Sequence, residues 1–144
     1  MKNSALLVIV TCCLSFSAFA DTVDLVIEAK GQTRDMGNSK RLKEQALRVA
    51  ITRANEKCTQ NFGGTLGLTG EDVTSNVCVT SIDEEWAGHG RVRSAGVKIL
   101  TAEVKVYCRV ERKKISAIKA WYYEGDGAAF RDCTQRISAQ NYLN

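Results

Sequence analysis

From Val23 to Ala29 the apolar side chains fall on odd positions, Val23, Leu25, Ile27 and Ala29, while Asp24, Glu28 and Lys30 take even ones. A period of two with one polar side predicts a strand half buried in a sheet. Beyond Gly31, the stretch Thr33 to Ser39 has turn chemistry, and Asn38 or Ser39 can accept from the free amides of a following helix. That helix is written in Leu42, Ala46, Leu47, Val49, Ala50, Ile51, Ala54 and Cys58, an apolar stripe opposed by Lys43, Glu44, Arg48, Arg53 and Glu56. Gly63-Gly64 ends it. After a glycine-punctuated connection to Gly70, Val73, Val77 and Val79 alternate as a second strand, and Asp83 to Trp86 with Gly88-His89-Gly90 read as a connection. A third strand covers about Gly96 to Val110. Its apolar residues switch from odd (Val97, Ile99) to even (Ala102, Val104, Val106, Cys108, Val110), which predicts a bulge near Leu100. Farther on, Ile115, Ile118 and Trp121 fit a helix or a strand through Tyr123, and Ala128 to Ser138 reads as a helix carrying Phe130, Cys133 and Ile137 on one side.

Strand, helix, strand, strand and tail helix, in that order, make an α+β two-layer sandwich. Its sheet is mainly antiparallel with three or more strands, and it carries one long amphipathic helix and a C-terminal helix. Length agrees with one domain. Of the 144 residues, the first 20 read as a cleavable export signal: Lys2, then an uncharged, mostly apolar run from Ala5 to Phe19, then the small-x-small motif Ala18-Phe19-Ala20. The run is short for a membrane anchor and is broken by Thr11, Ser15 and Ser17. Val10-Thr11 before Cys12 lacks the residues of a lipidation motif, so Cys12 and Cys13 leave with the signal. Residues 21–144 then form one domain, with a tail from about 113. With 44% hydrophobic and 25% charged residues the composition is globular, which excludes disorder and fibres. The chain beyond residue 20 keeps 19 basic and 16 acidic residues, and a net charge of +3 implies no dedicated polyanion partner.

Four cysteines remain, Cys58, Cys78, Cys108 and Cys133, an even number in an exported chain of modest size. Two disulfides in the periplasm or outside the cell follow. A zinc site is the weaker reading, because no two of the four are close enough for a ligand knuckle. If the first strand runs up and the helix down, Cys58 lies at the bottom facing the sheet. The third strand descends to bring Cys108, on its buried face, to the same edge. Cys78 has the opposite parity to Val77 and Val79 and points to the outer face, where a tail carrying Cys133 can dock. The expected pairs are Cys58 with Cys108 and Cys78 with Cys133.

The stretch Ile27-Glu-Ala-Lys-Gly31, the alanines Ala46, Ala50 and Ala54 down one helix, and Gly96-Val-Lys-Ile-Leu-Thr-Ala-Glu-Val-Lys-Val106 together resemble the amino-terminal domain of flagellar assembly protein T and related small bacterial envelope domains. The resemblance covers about residues 22–111 and implies a role in an envelope assembly. The four cysteines and the residues after Lys114 fall outside it.

Little in the chain points to catalysis. His89, the single histidine, sits between glycines on a loop without cysteines or carboxylates at ligand spacing, so no metal is expected. Asp83, Glu84 and Glu85 are adjacent, whereas glycoside hydrolysis needs an acid and a base across a substrate; they read as a solvated acidic turn. The glycines from Gly63 to Gly70 follow a helix and lead to a strand, the reverse of a phosphate loop. Arg109, Arg112, Lys113 and Lys114, with Arg91 and Arg93, form a basic patch interrupted by Glu111, and nucleic acid is not expected.

Trp121, Tyr122 and Tyr123 beside Lys119, and Trp86 next to the acidic run, are the partner-binding candidates, since exposed aromatics near cations anchor protein contacts; the bland alternative is that the tail aromatics cover a sheet face. The function expected from the sequence is a non-catalytic binding or assembly module, without cofactor, that contacts another envelope or secreted protein. The alternative is a disulfide-stapled inhibitor or effector that inserts a loop such as Glu84 to Arg93 into a target enzyme.

Overall fold

The computed structural model describes residues 21–66, 76–87, 97–116, 119 and 130–143. Their elements are β1 (Thr22–Asp35), α1 (Ser39–Glu56), β2 (Thr65–Leu66), β3 (Val77–Ala87), β4 (Val97–Glu111), β5 (Gln135–Ile137) and a one-turn helix α2 (Gln140–Leu143). The strands form one antiparallel sheet in the order β1-β4-β3-β5, with β2 also paired to β4. The chain is therefore α+β, with α1 and α2 toward one face of the sheet.

β4 lies at the centre. All of it but Val97 pairs with β1, from Thr22 opposite Glu111 to Asp35 opposite Lys98. Its other side is shared between β3 and, beneath it, β2, whose Thr65 and Leu66 oppose Arg109 and Cys108. Val23, Leu25, Ile27 and Ala29 are buried on one face of β1, and Leu100, Ala102, Val104, Val106, Cys108 and Val110 on the same face of β4. Over them lies α1, capped by Asn38, whose side-chain oxygen accepts from the Lys40 amide at 2.8 Å. Leu42, Leu47 and Ile51 are almost fully buried, each contributing roughly 1.5 to 3 kcal/mol of transfer free energy.

The helix comes unusually close to β1. Gly31 is buried, and a methyl group there would collide with the Ala46 carbonyl oxygen and the Ala50 amide nitrogen and come within 2.9 Å of the Ala50 Cα. The glycine is thus not the end of the strand, as its sequence context implied, but a mid-strand gap into which the helix backbone settles. Ala46, Ala50 and Ala54, all inaccessible to solvent, form the matching small stripe. Past Glu56 the helix widens into a π turn, Lys57–Asn61, and ends at Gly63 with φ of 61°, a left-handed conformation favouring glycine. The Gly63 amide donates to the Thr59 carbonyl and the Gly64 amide to the Cys58 carbonyl. Gly64 lies so close to the bridge below that a Cβ would come within 2.7 Å of the Cys108 Sγ.

Four further expectations change. No register shift occurs along β4 at Leu100. The irregularity lies in β3, where Thr80 is the extra residue between Val79 and Ser81. Val97 and Ile99 break the parity because partly buried apolar residues occupy the outer face at that end of the strand, while Lys98 and Leu100 keep the helix-side phase. Asp83 to Trp86 continue β3 in register with Thr101 to Lys98 rather than forming a connection. Thr65 and Leu66 pair as a strand. The stretch from Ala128 to Ser138 is not a helix where it is described: Phe130 to Thr134 form turns, and Gln135–Ile137 adds the strand β5 to β3. Here the sheet edge supplies backbone partners that outweigh a weak helical spacing. The C-terminal helix is the later, four-residue α2, anchored by the buried Asn76, whose side-chain oxygen accepts from the Ala139 amide at 2.8 Å.

Candidate functional site

Both disulfides join the expected partners. Cys58 and Cys108 connect the end of α1 to β4 inside the main core, with a Cα separation of 5.5 Å. Cys78 and Cys133 connect β3 to the tail across the outer face, at 5.2 Å. Around the second bridge lies a small satellite core that the sequence did not reveal. Phe130 stacks on Tyr107 with ring centroids 4.2 Å apart, and both are buried with Cys78. The available signal was Tyr107, the one aromatic on the odd face of β4, which is otherwise polar from Thr101 to Glu111. The Thr134 amide and hydroxyl both donate to the Val79 carbonyl, at 2.8 and 2.9 Å, tying the tail to β3.

Most of the rest of the outer face is an ion-pair ladder. Arg109 Nε and Nη2 grip the two carboxylate oxygens of Asp24 at 2.9 and 3.1 Å, Lys105 reaches Glu28 at 3.5 Å, and Lys30 pairs with Glu103. The hydrogen bond and charge of Glu103 raise the Lys30 pKa above its ordinary range, and Asp24 does the same for Arg109. A cleft of about 620 Å³ opens over this ladder, lined among others by Glu28, Lys30, Lys57, Glu103, Lys105 and Asp132. Three cations and three anions give that floor no preference for one sign of charge. The basic run at the end of β4 is largely paired as well: Arg112 meets Asp21 at 3.1 Å, and Lys113 and Lys114 share Glu111 at 3.3 and 3.7 Å. Lys113 first, then Lys114, holds the Glu111 carboxyl below its usual range.

Trp86 is the partner-binding candidate that the described residues contain. It lies at the far end of β3, in line with Lys98 of β4 and Asp35 of β1, and is 53% exposed. Lys98 Nζ stands 4.8 Å from the centre of the Trp86 ring, 3.2 Å from a Glu84 carboxylate oxygen, and donates to Ser39 Oγ at 2.8 Å. The ammonium therefore links the start of α1 to the end of the sheet and holds the indole by a cation-π contact. Beside it, Asp83, Glu84 and Glu85 are all exposed, so the acidic run is solvated as expected, but as a strand. Met36, 70% exposed, lies at the same end of the sheet, in the turn between β1 and α1.

Trp121, Tyr122, Tyr123 and His89, as well as Arg91, Arg93 and most of the glycine-rich connection, lie outside the described residues. Among those described, no group of three or more His, Cys, Asp or Glu is arranged to hold a metal ion, and no helix is long and apolar enough to cross a membrane. No family model, curated protein or solved structure matches the chain.

Proposed function

We propose that this chain is an exported, non-catalytic module that docks on another protein of the cell envelope, using the Trp86 end of its sheet and the Trp121 to Tyr123 stretch. The carrying observation is the indole of Trp86, more than half exposed and held in place by Lys98 beside a row of carboxylates. A large aromatic surface that is already ordered loses little entropy on binding, which is why such residues anchor interfaces. Two bridges, one inside the core, suit an oxidising compartment. The resemblance to the amino-terminal domain of flagellar assembly protein T makes envelope ring components the first partners to examine.

The test is cross-linking and affinity capture from an envelope fraction with the wild-type protein and Trp86→Ala as baits. One structural envelope protein should be recovered in stoichiometric amount by the wild type and lost with the variant. Recovery of a hydrolase in its place would replace the module with an inhibitor. The exported bait should also have an intact mass starting at Asp21; retention of residues 1–20 would defeat the export argument.

A further inference from the structure

The two edges of the sheet are finished differently. Along β1, Arg53 Nη1 donates to the Lys30 carbonyl at 2.8 Å and Lys57 Nζ donates to the Glu28 carbonyl at 2.9 Å. The spacing is geometric: four residues along a helix and two along a strand both advance roughly 6 to 7 Å, so cations one turn apart reach alternate outward carbonyls. Those two acceptors, which an incoming strand would need, are already used.

Among the described residues, the opposite edge is closed only along part of its length. β5 pairs with Val77, Cys78 and Val79, and the ladder stops at the Thr80 bulge. From Ser81 to Ala87, β3 is bonded to β4 on one flank, and no described residue pairs with the other. Side chains on this free stretch alternate in a defined way. Asp83 and Glu85 share the outer face with Thr101 and Ile99, while Ile82, Glu84 and Trp86 share the helix-side face with Ala102, Leu100 and Lys98. Ile82 packs against the core and the residues from Asp83 to Trp86 are exposed.

We infer that the free edge from Ser81 to Ala87 accepts an extended segment of a partner protein as an added strand, and that this segment alternates basic and apolar residues. The inference rests on the module reading above and specifies its contact. An added strand gains main-chain hydrogen bonds along the edge, while its alternate side chains read the two faces. Cations on the outer face meet Asp83 and Glu85, and apolar side chains on the other face lie along Ile82 and the Trp86 ring. A second copy is a poor occupant. Pairing β3 with β3 sets three carboxylates against three, and β1 has its central carbonyls occupied, so the charges that attract a basic strand also block self-association.

The probe is a ten-residue peptide of alternating lysine and valine, with two controls: glutamate in place of lysine, and the lysine peptide N-methylated on alternate amides. The mature, oxidised protein is followed by amide hydrogen exchange and by titration. The lysine peptide should slow exchange within Ser81 to Ala87 at least tenfold. N-methylation should weaken binding at least tenfold, because it removes ladder bonds and keeps the charge, and the glutamate peptide should not bind. Asp83→Lys with Glu85→Lys, both exposed, should weaken the lysine peptide at least tenfold. Equal affinity of the methylated peptide, or protection confined to β1, overturns the inference. Capture distinguishes this failure from that of the module: an envelope partner held equally by wild type and charge-reversed protein removes the edge and leaves the module. A wild-type bait that recovers nothing removes the module, and the peptide titration still decides whether the edge accepts a strand.

Discussion

The two bridges span nearly the same length of chain, with sequence separations of 50 and 55 residues, yet they hold different things. Cys58 to Cys108 joins two long elements that already share a core of twenty buried residues. Cys78 to Cys133 joins the sheet to a tail that gives Phe130 to a three-residue outer cluster and Ala139 to the main core, with Ile137 and Tyr142 packed beside it, and that is otherwise held by three paired strand positions and one side-chain cap. In the chain-entropy view each bridge is worth about 4 kcal/mol. The structure around it decides whether that stabilisation is shared by the whole domain or confined to one segment.

Replacing both cysteines of either pair by alanine is the strongest way to break this comparison. The Cys58 and Cys108 double variant should lower the stability of β1, α1 and β4 together, by about 4 kcal/mol plus the loss of packing around the sulfurs. The Cys78 and Cys133 variant should release β5 and α2 while β1 and β4 amides stay protected. Hydrogen exchange by segment separates the outcomes, and equal loss across all strands in both variants would mean that tail and core form one cooperative unit. Gly31→Val comes next, because the added carbons meet helix backbone that must move. A cost of about 3 kcal/mol in urea unfolding is expected, with Ala50→Phe at about 1 to 3 kcal/mol from the other side of the same contact. An unchanged midpoint for either would mean that the helix does not sit so close.

Smaller effects sharpen the tail side. Asn76→Ala leaves the Ala139 amide without its acceptor, at a cost of about 1 to 2 kcal/mol, and the loss should appear as faster exchange in α2 alone. Asp24→Asn weakens the two-pronged grip on Arg109 on the outer face, but the pair is partly solvated, with side-chain exposures of 44% and 29%. A change below about 1 kcal/mol that vanishes in high salt is expected, and a larger one that ignores salt would show the ladder to be structural.

The helix and its facing were legible because eight apolar residues at one period leave a single way to lie on a sheet. The bridges were legible because parity assigns Cys78 and Cys108 to opposite faces. Charge hid the upper half of β3: Asp83, Glu84 and Glu85 look like a loop until β4 supplies the hydrogen bonds. Gly31 was misread because a glycine that ends a strand and one that admits a helix have the same local sequence. The tail lay beyond local reading altogether, since its conformation comes from Tyr107 and the edge of β3, both distant in sequence. At the candidate site, Trp86 could be picked out as an aromatic beside acids, but Lys98 as its support and Arg53 and Lys57 as covers of the other edge arise only from the register.

The bridges also interleave along the chain: Cys78 falls inside the loop closed by Cys58 and Cys108, and Cys108 inside the other. Beyond residue 20, the first two thiols in order of synthesis are Cys58 and Cys78, which the finished protein never joins. A chain oxidised as it emerges therefore starts with the wrong partner and reaches its final state only by thiolate attack and exchange, on the timescale of seconds to hours that isomerases shorten. The sheet imposes the same delay, because β1 finds its neighbour only once β4 has been made. Were the domain oxidised during export, its maturation would depend on exchange of disulfides as well as on their formation.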